Sequence, residues 1–189
     1  MTVAPTNTHA RTEFPIPASR LGMWVFLSTV TMLFAAFCSA YLVRRATGDW
    51  NRVDLPDVLW LNTLILAASS CTLAFARAAK ESSRRRLLLC ATAVLGVLFL
   101  AGQVFAWNQL AQAGIYVPTT PHSSFFYIFT GLHGLHLVGG IVFLLSVTVS
   151  ELRGRRAEDG RHRLVELVST YWHYMGGLWA FLLIFLTFF

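Results

Sequence analysis

Phe125-Phe126-Tyr127-Ile128-Phe129-Thr130-Gly131-Leu132-His133-Gly134-Leu135-His136-Leu137-Val138-Gly139-Gly140 is an apolar run that holds two imidazoles and four glycines. At about 100° per residue a helix puts Phe126, Phe129, His133, His136 and Gly140 on one side, and Gly131, Gly134 and Val138 on the other. One face is polar and the other is small. Neither suits lipid, because ionisable groups are expensive in hydrocarbon and glycines weaken a helix unless a neighbour packs closely against them. The stretch therefore belongs inside a bundle of membrane helices.

Composition extends that reading to the whole chain. Of 189 residues 56% are hydrophobic and 13% charged, more apolar surface than a soluble domain of this length can bury. The net charge of +6 does not point to nucleic acid, since the basic residues sit between apolar runs and no aromatic-interleaved basic patch is present. Cys38, Cys71 and Cys90 fall in separate apolar runs without CxxC pairing, which argues against a disulfide framework and a zinc site.

Five runs are long enough to span a bilayer core of roughly 30 Å. The expected architecture is all-α, an integral membrane bundle with helices at about 21–43, 58–76, 87–110, 125–150 and 164–188. Residues 1–20 carry Pro5, Pro15 and Pro17 among polar residues and read as a disordered cytoplasmic tail. The tail and first run do not read as a signal peptide, because the run is too long and no small-residue cleavage pattern follows it. Ser28, Thr31, Ala35 and Ser39 make a small-residue stripe on the first helix. Asn62 and Ser69 on the second are suited to bonding a neighbouring helix. Trp24, Trp50, Trp60 and Trp107, near run ends, fit interfacial anchoring.

The loops set an orientation. Twelve of the fifteen Lys and Arg lie in the tail and in loops two-three and four-five, which puts the amino terminus in the cytoplasm and the carboxyl terminus outside.

On the last helix Glu166, Ser169, His173, Gly176 and Ala180 fall on one side. A short loop joins helices four and five, so His133, His136, Glu166 and His173 are expected to share one interhelical polar network in the bundle interior. Two readings of these residues stand. Histidines on facing helices, His133 or His136 with His173, could ligate a haem iron and make the chain a small b-type cytochrome. Alternatively the imidazoles are hydrogen-bonded structural groups, with no catalytic, cofactor or metal site in the chain. The second is preferred, since a di-iron bundle needs several inward carboxylates. All nine Asp and Glu lie in the tail, in loops or at a helix start, which also disfavours an independent pump or channel.

At these residues the chain resembles subunit III of the haem-copper oxygen reductases, the family of cytochrome c and quinol oxidases, in its short five-helix form. Thr130-Gly131-Leu132-His133-Gly134-Leu135-His136 is similar to the family's T-G-x-H-G-x-H helix. Glu166 with Tyr171-Trp172-His173-Tyr174 resembles the start of its last helix. Shorter matches are Leu21-Gly22-Met23-Trp24-Val25-Phe26-Leu27, Leu61-Asn62-Thr63 with Ser69-Ser70, and Leu95-Gly96 with Gln103. Three family carboxylates are absent, at Thr29, at Ala106 and in the Gly176-Gly177 region. Their loss suggests a divergent branch and raises a nitric oxide reductase accessory subunit as an alternative. The resemblance implies a subunit with no redox centre of its own, docked on a catalytic subunit that holds haem and copper. It also implies that the chain binds lipid and supports assembly and oxygen access.

Overall fold

The computed structural model describes residues 18–47, 50, 53, 55–153 and 158–189, with backbone alone at 158, 159, 161 and 162. The expected disordered tail lies outside the described residues, apart from its last turn. Five helices follow in order: α1 (Ala18–Arg45), α2 (Val58–Ala78), α3 (Ser82–Gln112), α4 (Pro121–Leu152) and α5 (Glu158–Phe188). All five are long and apolar enough to cross a membrane, and no strand occurs among the described residues.

Each helix outlasts its apolar run. Backbone hydrogen bonding continues past the hydrocarbon boundary, and long Arg side chains extend into the interface from helical positions. The change is largest at the starts of α5, which begins at Glu158, of α3, which begins at Ser82 inside what reads as a basic loop, and of α4, which begins at Pro121. Thr120 caps α4: its side chain accepts from the Ser123 amide at 3.0 Å, Ser123 Oγ accepts from the Thr120 amide, and Pro121 occupies the first turn, where its missing N–H costs nothing. Gly114 stops α3 with φ of 77°, a left-handed conformation open to glycine. The Ile115 amide then reaches back to the Leu110 carbonyl at 2.9 Å and the Gly114 amide to Ala111 at 3.0 Å, closing the helix end.

Four helices form a ring in which α2 packs on α3, α3 on α4, α4 on α5 and α5 on α2, each neighbour antiparallel where the loop is short. The fifth helix, α1, lies outside that ring and, among the described residues, leans on α4 and α5 alone of the helices. The core of the ring is aromatic and aliphatic: Phe99, Phe126, Phe129, Leu66, Leu137, Trp172 and Trp179 are fully buried.

Candidate functional site

Helices in lipid gain little from burying apolar surface against each other, because the solvent is as apolar as they are; close packing and interhelical hydrogen bonds hold them. The α4–α5 seam uses both. An added Cβ at Gly140 would meet the Tyr171 ring at 2.7 Å, so only glycine admits that ring, and Tyr171 Oη then donates to the His136 carbonyl at 2.7 Å. Next to it Trp172 lies so close to Gly96 of α3 that a Cβ there would also meet the indole at 2.7 Å. Its Nε1–H donates to Ser69 Oγ of α2 at 2.8 Å.

The same device recurs around the ring, an aromatic donor on one helix meeting a hydroxyl on the next. Trp179 donates to Thr63 at 3.0 Å and Trp107 to Thr130 at 3.1 Å. Between α2 and α3, Thr72 and Thr92 share a bond at 2.9 Å and Asn62 Nδ2 donates to the Phe99 carbonyl at 3.3 Å. Asn62 and Ser69 thus bond to neighbouring helices, as their positions suggested. Tyr174 ties α5 to Thr31 of α1 at 2.6 Å.

The four expected site residues do not form one network. His133 is fully buried, its ring 5.1 Å from that of Trp179 and 6.0 Å from that of Phe99, and neither ring nitrogen has a hydrogen-bond partner among the described residues. His136, one turn on, faces α1, with its ring 6.0 Å from that of Phe34, and its Nδ1 meets the Leu132 carbonyl of its own helix at 2.7 Å. Glu166 lies in the first third of α5, 30% exposed, where it accepts from Arg20 of α1 at 2.5 Å and Arg77 of α2 at 3.4 Å. His173 is exposed and opens onto a hollow of about 270 Å³ beside Thr63, Ser70 and Gly176. A helix turns 100° per residue, so small differences of register send residues of one broad stripe into different neighbours.

The same geometry opposes the haem reading. An axial pair needs two imidazoles facing one space, and His133, His136 and His173 face the bundle interior, α1 and the outer surface respectively. Among the described residues no group of three or more His, Cys, Asp or Glu could hold a metal ion. The glycines also divide. Gly140 is tightly packed, whereas a Cβ at Gly131 or Gly134 would meet nothing closer than 3.9 Å, so the small face of α4 is not where its closest contacts lie.

Some important residues were hidden in sequence. Arg85 and Glu151, which read as loop residues, lie on α3 and α4 and form a buried ion pair: Nε to Oε1 is 3.3 Å, with side chains 5% and 1% exposed. Arg85 Nη1 also donates to the Ala79 carbonyl at 3.4 Å. At the opposite end of the bundle Tyr41 of α1 sits in an aromatic cluster with Trp50, His122, Phe125 and Phe185. Trp50 and Trp107 pack against the core, while Trp24 and Trp60 are 61% and 50% exposed. The small stripe of α1 borders an open apolar groove of about 720 Å³, where Thr31, Ala35 and Ser39 face Tyr174, Gly177 and Phe181 of α5.

These features define a class: an all-helical, multi-pass membrane protein whose interior polar groups join one helix to another. Residues 6–189 match the family model described as "Cytochrome c oxidase subunit III". The chain belongs to that family. It is 31% identical to cytochrome c oxidase subunit 3 of Thermostichus vulcanus, over 95% of this chain and 90% of the relative. It is 34% identical to a probable cytochrome c oxidase subunit 3 of Nocardia farcinica, over 84% and 82%, and 26% identical to a probable quinol oxidase subunit 3 of Staphylococcus saprophyticus, over 87% and 85%. This membership does not favour the nitric oxide reductase or b-type cytochrome alternatives.

Proposed function

We propose that the chain is the non-redox third subunit of a respiratory terminal oxidase, docked on a catalytic subunit that carries haem and copper and reduces dioxygen to water. Its work is assembly, lipid holding and oxygen access, and it makes and breaks no bonds itself. The observation that carries this reading is the use of the interior polar groups: the tryptophan, tyrosine, threonine and asparagine side chains named above bond helix to helix, within a chain matched to the family from residue 6 to residue 189. The open groove between α1 and α5 has the apolar lining a lipid tail requires, which supports the lipid-holding role.

In this reading His133, His136, Glu166 and His173 are structural, each in its own setting, and the exposed His173 meets a neighbouring subunit or lipid. The excess of Lys and Arg in the tail and in loops two-three and four-five supports an orientation with the amino terminus in the cytoplasm and the carboxyl terminus outside. Purification of the tagged chain in mild detergent tests the proposal. Catalytic oxidase subunits should co-purify, with the haem absorption following them. Stoichiometric iron or copper on the lone polypeptide would overturn it. His173→Leu should lower recovery of the assembled complex while leaving the chain inserted; unchanged recovery would remove His173 from the interface.

A further inference from the structure

Buried polar atoms in proteins nearly always have partners, and in a membrane protein no bulk water competes for them. Two side chains in the middle of the ring stand out on this ground. Gln103 of α3 is 2% exposed and His133 of α4 is fully buried, and neither amide atom of the first nor ring nitrogen of the second has a partner among the described residues.

The register of the two helices brings them to one level. Trp107, one turn from Gln103, donates to Thr130, which lies three residues from His133. Phe99, one turn from Gln103 in the other direction, has its ring 6.0 Å from that of His133. Gln103 is thus bracketed on its own helix by two residues that touch α4 at Thr130 and at His133. Other donors at this level are already engaged: Trp107 with Thr130, Trp179 with Thr63, and Asn62 Nδ2 with the Phe99 carbonyl. What remains is a carboxamide with a donor and an acceptor, and a neutral imidazole with one of each.

We propose that an ordered water molecule is bound between Gln103 and His133, linking α3 to α4 at the centre of the bundle. A water gives two hydrogen bonds and accepts two, so it can satisfy one atom of each side chain and orient both. Such buried waters characteristically make about three bonds to otherwise unsatisfied groups and are costly to remove.

The two side chains then form one unit, and the test is whether they fail as one. Gln103→Met and His133→Leu, singly and together, are to be compared in the assembled complex by thermal unfolding. Each single change leaves the other polar group buried and unsatisfied, so each should lower the midpoint by several degrees. The double variant should recover part of that loss and lie above the value obtained by adding the singles. Strict additivity would overturn the proposal. A cryo-EM map of the unmodified complex, at a resolution that resolves ordered solvent, decides independently of whether the variants assemble. A solvent peak within hydrogen-bonding distance of both side chains supports the site, and continuous apolar packing between them removes it.

Discussion

The ring of α2 to α5 and the outlying α1 are built from the same residue types but held by different means. In α4 thirteen of 32 residues are buried, whereas in α1 only Leu27, Val30, Phe34 and Tyr41 of 28 are. The ring is closed by aromatic-to-hydroxyl bonds, glycine contacts and a buried ion pair. Helix α1 is fastened at three heights instead: Arg20 to Glu166 at one end, Thr31 to Tyr174 in the middle, and Tyr41 in an aromatic cluster at the other. In a solvent of hydrocarbon, apolar area alone would not separate these two regions. The number and dryness of the polar ties does.

The largest blow to the ring should come from Glu151→Ala. It strands the Arg85 guanidinium in a site where it is 5% exposed, and breaking a buried pair in this way costs about 3–5 kcal/mol. Denaturant unfolding should show that loss, and Arg85→Leu combined with Glu151→Leu should restore most of it. Trp172→Phe should cost about 1–2 kcal/mol by the same assay, through the lost bond to Ser69 and incomplete filling beside Gly96 and Gly140. Tyr174→Phe removes the middle fastening of α1 and should cost roughly 0.6 kcal/mol, because Thr31 keeps its bond to the Leu27 carbonyl. Its clearer signature is faster labelling of a cysteine placed at Ala35. The smallest effect belongs to Glu166→Gln, which cuts exposed ion pairs to Arg20 and Arg77 that salt already screens. It should leave the unfolding midpoint in place and remove the salt dependence of amide exchange at the start of α1. A large drop in midpoint here, or none for Glu151→Ala, would erase the contrast between the two regions.

Hydropathy made the five helices legible, since a span must satisfy its backbone internally and so declares itself by length. Periodicity also placed Phe126, Phe129, His133 and Gly140 on the buried side of α4. It could not place Glu166, whose partners Arg20 and Arg77 come from helices 146 and 89 residues away. Nor could it separate Gly140 from Gly131, because the difference lies in the Tyr171 ring across the seam. Arg85 and Glu151 were concealed by their own charge: the rule that ends a span at the first polar cluster assigned both to loops. The hydroxyls of Thr63 and Thr130, unlike that of Ser69, were not singled out until the facing indoles were known.

Trp172 touches Gly96 of α3, Gly140 of α4 and Ser69 of α2, so one indole reads the position of every other helix in the ring. Because it sits on α5, which follows α2, α3 and α4 in the chain, the ribosome delivers three partners before the piece that registers them. Until then the notch at Gly96 and Gly140 lacks the indole that fills it. Chains cut before residue 158 should therefore be short-lived in a pulse-chase, which makes this tryptophan a checkpoint at which a polypeptide that has reached α5 is told apart from one interrupted before it.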